Sequence, residues 1–137
     1  MKNLSGIIII FTGIAVGVIS YWTVPYKDID LFDSINWLIT GFLSFIAAFF
    51  SRIMFQKVPL RLAFYLSFGV ILSVFLRILY DISFFDSRLH NLAPFEIILA
   101  AAQSLPLAFL GAYLAKGVYP PKKNKVIKPN KHFTKTI

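Results

Sequence analysis

Cysteine is absent from this chain of 137 residues. Its absence excludes disulfides, thiolate metal sites, cysteine nucleophiles and thiol redox chemistry. Charge is scarce as well: 15% of the residues are charged against 58% hydrophobic, and the mean hydropathy is +0.74. That balance does not fit a water-exposed surface and makes lipid the expected solvent. The short alternating apolar runs of a barrel are missing too; the 15 Phe residues, with Ile and Leu, fall in long blocks, so helices are the expected spanning element. There is no Walker loop, no GxSxG and no dinucleotide fingerprint. Neither HExxH nor HxxxH spacing occurs, so no metal and no cofactor is expected.

What is present is four apolar blocks, Leu4 to Val24, Ile35 to Phe55, Leu60 to Leu79 and Phe95 to Lys116. Each holds about 20 residues, the length that crosses roughly 30 Å of hydrocarbon. The segments between them, Pro25 to Ser34, Gln56 to Pro59 and Tyr80 to Pro94, carry the turn formers and most of the acids and read as loops. Asp33 and Ser34 are cap candidates for the second block, Pro59 precedes the third, and Pro94 with Glu96 opens the fourth, where a carboxylate suits the helix dipole. The predicted fold is all-α: a polytopic membrane protein with four transmembrane helices in an antiparallel bundle over residues 1–118, then a disordered lysine-rich cytoplasmic tail over 119–137. The four-residue link between blocks two and three predicts that they are antiparallel neighbours. Block one has the alternative of a cleaved signal, but its apolar run exceeds a signal core of about 7 to 15 residues and is followed by Tyr21 and Trp22, so a retained helix is expected.

The charges divide by side. The N-terminus, the loop between blocks two and three, the tail and the adjoining helix ends hold eleven basic residues, among them Arg52, Lys57, Arg61 and Lys116, and no acid; the other two loops and their helix ends hold Lys27, Arg77 and Arg88 with all six acids. Basic residues orient a chain, and this asymmetry predicts both termini in the cytoplasm, in a bacterial cytoplasmic membrane. Six lysines lie in the last 16 positions, including Lys122, Lys123, Lys125, Lys128 and Lys131. This tail is expected to contact anionic lipid head groups, each lysine contributing on the order of 1 kcal/mol. No specific nucleic acid partner is implied.

Helix association in lipid relies on small residues that let backbones approach. Block one offers Gly6, Gly13 and Gly17, the last two in GxxxG spacing; block two offers Gly41, Ser44, Ala48 and Ser51; block four offers Ala100, Ser104, Ala108 and Ala112. These faces are expected inward, closing one bundle or pairing two copies, as a homodimer or within a larger membrane complex. Block three is rich in Phe and Leu and is expected to be the most lipid-exposed.

The candidate outward polar site is Arg77, Asp81, His90, Asn91 and Glu96. Acids beside a His suit a cation or a polar solute, and His90 with Glu96 suits proton exchange with a substrate. The plain alternatives are a solvated acidic loop, a helix entrance set by Pro94 and Glu96, and an Arg77–Asp81 pair fixing a helix end. Arg52 and Arg61 read as snorkelling anchors. In block four, Gln103 and Pro106 lie near mid-membrane: a pore lining on one reading, and on the other an amide that ties helices, reaching Thr12, Thr40 or Ser44, beside a proline that frees the Ala102 carbonyl. No Asp, Glu or His lies at mid-membrane, which leaves ion coupling without an obvious carrier. The expected role is a non-enzymatic accessory, assembly or structural subunit. The alternatives are a homo-oligomeric channel or transporter and a membrane enzyme with an outward-facing site.

Overall fold

The computed structural model describes residues 4–23, 34–85 and 93–120, all of it helix and short connections. Four helices follow in order: α1 (Leu4–Gly17), continued by a π-helical turn (Val18–Trp22), then α2 (Ser34–Phe55), α3 (Pro59–Phe84) and α4 (Ala93–Val118). Each spanning segment is long and apolar enough to cross a membrane, and the chain is an integral membrane protein. Exposed Phe11, Phe42, Phe50, Phe64 and Phe68 give it an outer surface compatible with lipid.

The helix boundaries follow local chemistry. Pro59 occupies the first turn of α3, where its missing N–H costs nothing. Before it, Gln56 closes α2 by donating its backbone N–H to the Arg52 carbonyl at 2.9 Å, with a left-handed φ of 48°. Glu96 lies in the first turn of α4, as its place in the sequence predicts. One boundary differs from expectation: α3 does not stop near Leu79 but runs on to Phe84. The extension keeps Arg77 and Asp81 inside one continuous helix, so Arg77 stands two turns from the helix end instead of one.

Packing is organised by two glycine seams. A Cβ built on Gly13 would overlap the Leu66 carbonyl oxygen and lie 3.0 Å from the Gly69 Cα; one on Gly17 would stand 2.6 Å from the Ser73 Cβ. The register therefore advances in the same direction on both helices, and α1 and α3 are parallel. On the other side, a Cβ on Gly41 would overlap Leu107, and one on Gly111 would overlap the Phe45 carbonyl oxygen. So α2 and α4 are parallel too. With α3 packed on α4 and a lighter contact between α1 and α2, the helices form a ring in the order α1, α3, α4, α2.

Two expectations fail here. Blocks two and three are not close neighbours: the short link joins α2 to α3, but each packs mainly on another helix and the two touch little. A short connection fixes where two helix ends meet, not which faces are complementary, and the glycine seams lie elsewhere. Nor is the third helix the most lipid-exposed; 56% of its apolar stretch is buried, against 33% in each of the other three. Its buried face carries Ala63, Ser67, Gly69 and Ser73, small residues that its many Phe and Leu obscure in the sequence. The core between the seams is filled by Ile9, Val16, Leu62, Leu66, Val70, Ala108 and Ala112. A second cluster of Val74, Ile78 and Ala100, flanked by Tyr21, Ala93 and Ile97, lies toward the far end of α3.

Candidate functional site

The polar groups of the interior lie in two layers. The deeper layer is centred on Gln103. Four residues at four-residue spacing along α4, Ala100, Ser104, Ala108 and Ala112, are fully buried, which turns this side of the helix inward. Gln103 lies next to that stripe and is 4% exposed. Its Oε1 accepts a hydrogen bond from the Tyr21 hydroxyl. The Tyr21 phenol is also hydrogen-bonded to the Thr40 side chain, which is fully buried. One phenol thus joins α2 and α4 to the π turn that continues α1. Of the three partners expected for Gln103, Thr40 belongs to this network, but the side chain that reaches the amide is Tyr21.

Tyr21 is in position because of the turn that carries it. Gly13 and Gly17 turn toward α3, and Tyr21 follows Gly17 by four residues, so the inward stripe continues into it. The wider π turn keeps Ser20 buried and Tyr21 part-buried next to each other; π-helix occurs mostly as such single turns within α-helices. Trp22 ends the turn and donates its indole N–H to the Ser73 carbonyl at 3.3 Å. The hydroxyls of Ser20, Ser44 and Ser73 are buried around this layer and find no partner among the described residues. Ser104 instead bonds back to the Ala100 carbonyl at 2.8 Å. Helix α4 continues through Pro106 without a break.

The outer layer contains Arg77, Asp81 and Glu96, three of the five residues of the expected outward site, and all three are buried. Arg77, Asp81 and Glu96 are 8%, 8% and 7% exposed. Arg77 Nε lies 3.5 Å from Asp81 Oδ2, the expected pair one turn apart on α3. Glu96 is one turn from Ala93 and Ala100 and adjoins Ile97, residues that pack against Val74 and Ile78 of α3, so the buried carboxylate belongs to the α3–α4 side of the ring. His90 and Asn91 lie outside the described residues. An aromatic belt flanks this end, with Trp22 and Tyr80 ring centres 5.8 Å apart and Tyr80 and Phe84 5.0 Å apart, the usual composition of a lipid–water boundary. Among the described residues no group of three or more His, Cys, Asp or Glu could hold a metal ion.

The opposite end carries only bases. Lys57 extends over the Tyr65 ring at 4.9 Å and Lys116 over Tyr113 at 5.7 Å. Arg61 is exposed, as an anchor should be, whereas Arg52 is 4% exposed. It does not snorkel. Arg52 continues the inward stripe of Ser44 and Ala48 at four-residue spacing, a pattern present in the sequence, although a charged residue near a helix end suggests the surface. The tail lysines Lys122, Lys123, Lys125, Lys128 and Lys131 lie outside the described residues. Comparison of the chain with known protein families, with curated proteins and with solved structures finds no match.

Proposed function

We propose that this chain is a non-enzymatic subunit of the bacterial cytoplasmic membrane, with both termini in the cytoplasm, which packs against another membrane protein as an accessory or assembly factor. The observation that carries this reading is the use made of Gln103. The buried Gln103 amide is hydrogen-bonded to Tyr21, which is bonded in turn to Thr40, so these groups serve as ties between helices and not as a solute path. Gly13, Gly17, Gly41 and Gly111 are likewise taken up in contacts within the chain. The surface presented to a neighbour is then the apolar exterior, including a concavity of about 490 Å³ between α2 and α4 lined by Leu38, Gly41, Phe42, Phe45 and Leu107. The orientation rests on the eleven basic residues, free of acids, at one set of helix ends.

Crosslinking in the native membrane followed by mass spectrometry tests the subunit role. A reproducible heterologous neighbour supports it; crosslinks solely between copies of this chain remove it in favour of a homo-oligomer.

A second reading is favoured by one observation, the burial of Arg77, Asp81 and Glu96. Ionisable groups inside a spanning region mark solute or ion pathways more often than other positions do. On this reading the chain is a small channel or transporter whose selectivity lies at the α3–α4 end. Solute flux into liposomes that is lost in Glu96→Gln while the protein stays folded supports it, and unchanged flux removes these residues from the path.

A further inference from the structure

We infer that Arg52 forms the base of a binding site for a phosphate anion at the basic end of the ring, occupied by the headgroup of an anionic phospholipid. An arginine side chain presents five N–H donors in a fixed planar fork and has no acceptor. Burying it without a counter-charge costs several kcal/mol, so a fold that retains it supplies an anion or a full set of acceptors. Within the described residues neither is present. Arg52 is 4% exposed and its Nε, shielded from solvent, has no hydrogen-bond partner.

The chain has no side chain that fills this role from a distance. No Asp or Glu occurs between Asp33 and Asp81 or after Glu96. All six acids belong to the two loops and helix ends at the opposite end of the spans. Arg52 is eighteen residues along α2 from Ser34, about 27 Å at 1.5 Å per residue. No carboxylate side chain of the chain therefore supplies the compensating charge at this end.

The surroundings fit a phosphate. The seam that sets Gly41 on Leu107 and Phe45 on Gly111 carries Arg52 to the level of Val118, two residues beyond Lys116, when continued along the two parallel helices. On the other side of the same end, the Lys57 ammonium nitrogen lies 3.3 Å from where a Gly6 Cβ would stand, while its charge rests over Tyr65. A planar guanidinium recognises phosphate oxygens by charge-assisted hydrogen bonds, and Lys57 and Lys116 add positive charge at the same end of the ring. Arg52 lies in the last turn of α2, the level at which a phospholipid places its phosphate, and the outward face of that part of the helix carries the exposed Phe50 and Met54, against which acyl chains pack.

The test uses the full chain in lipid nanodiscs of phosphatidylcholine, with and without phosphatidylglycerol, and in phosphatidylcholine with added inorganic phosphate. Thermal unfolding and the amount of phosphatidylglycerol retained in native mass spectrometry are read for the wild type, for Arg52→Met, and for a tail variant in which Lys122, Lys123 and Lys125 are replaced by Gln. Phosphatidylglycerol is expected to raise the unfolding temperature of the wild type and of the tail variant. Arg52→Met is expected to lose that rise and to retain the lipid about tenfold less well, as the loss of one charged hydrogen-bonding group implies. In pure phosphatidylcholine the same variant should be at least as stable as the wild type, because an uncompensated charge has been removed. An Arg52-dependent rise produced by inorganic phosphate as well keeps the anion site and assigns it to soluble phosphate. A lipid effect that persists in Arg52→Met, or vanishes in the tail variant, overturns the proposal. If Arg52→Met does not accumulate, Arg52→Gln replaces it, and equal stability and retention of the wild type in the two lipids overturns the proposal by itself.

Discussion

Gly13 of α1 and Gly69 of α3 meet backbone to backbone: a Cβ on Gly69 would lie 2.9 Å from the Gly13 Cα and would overlap the Ile10 carbonyl oxygen. Neither side chain can grow without moving a helix, because the obstacle is main chain and not a flexible side-chain end. Gly13→Ala is expected to destabilise the fold by about 1–3 kcal/mol, the usual cost of overpacking a close contact. Gly117 provides the control, since nothing lies within 4 Å of its would-be Cβ. Gly117→Ala should be neutral or stabilising by up to about 1 kcal/mol through helix propensity. Reversible unfolding in mixed detergent micelles, followed by circular dichroism, compares the two; equal effects would show that the α1–α3 seam is not this tight.

The Tyr21–Gln103 bond joins positions 82 residues apart and has measurable content beyond either residue. Tyr21→Phe removes only the hydroxyl, leaving the ring to pack among Val74, Ile78 and Ala100. The expected loss is about 0.6–1.7 kcal/mol, the range for hydrogen bonds between helices in a bilayer. Gln103→Leu should cost a similar amount, and the double variant less than the sum, because each change removes the same bond. Strict additivity in the double-mutant cycle would exclude the tie.

Much of this fold is legible in the sequence because membrane spans announce themselves by length and hydropathy. All four helices start or end within a few residues of the expected positions, apart from the end of α3, where Tyr80 to Phe84 still form helix although Asp81 resembles a loop residue. The acid is accommodated because Arg77 lies one turn back on the same face. Helix neighbours are less legible. Gly69 is a single glycine among phenylalanines, and only its meeting with Gly13 shows that it is a packing position. Tyr21 and Arg52 were in plain sight as continuations of the Gly13–Gly17 and Ser44–Ala48 stripes. Residue type suggested an interfacial belt and a snorkelling anchor, whereas four-residue spacing pointed inward. Of the outward site, the sequence separation between Asp81 and Glu96 does not show that both belong to the packed pair of α3 and α4; the helix packing does.

The Arg77–Asp81 pair separates a structural role from a functional one. Both side chains are close to nine-tenths buried, so removing one partner leaves the other's charge in a poorly solvated place. Asp81→Asn is expected to cost about 3 kcal/mol, whereas the double change Arg77→Met with Asp81→Leu should be nearly neutral if the pair only holds the helix end. Protein yield and unfolding temperature report the first effect. Complementation of a deletion strain reports the second: a stable double variant that fails to complement assigns Arg77 and Asp81 to function, and one that complements confines them to architecture.

Gln56 is the sole non-glycine residue with positive φ among the described residues, and it stands where helices commonly end on glycine. A side chain in the left-handed region costs about 1–2 kcal/mol, and Gly pays part of that back through the greater freedom of its unfolded chain. Gln56→Gly is therefore expected to stabilise the α2–α3 corner by roughly 0.5–1 kcal/mol, with Gln56→Asn intermediate, because asparagine tolerates this conformation better than glutamine. Gln56→Val should act in the opposite direction, since a β-branched side chain is least compatible with positive φ. The three variants differ little in hydropathy-driven insertion at a position outside the spans, so their order of unfolding temperatures reads backbone strain directly. An order with valine above glycine would show that Gln56 relaxes into an ordinary conformation in the bilayer.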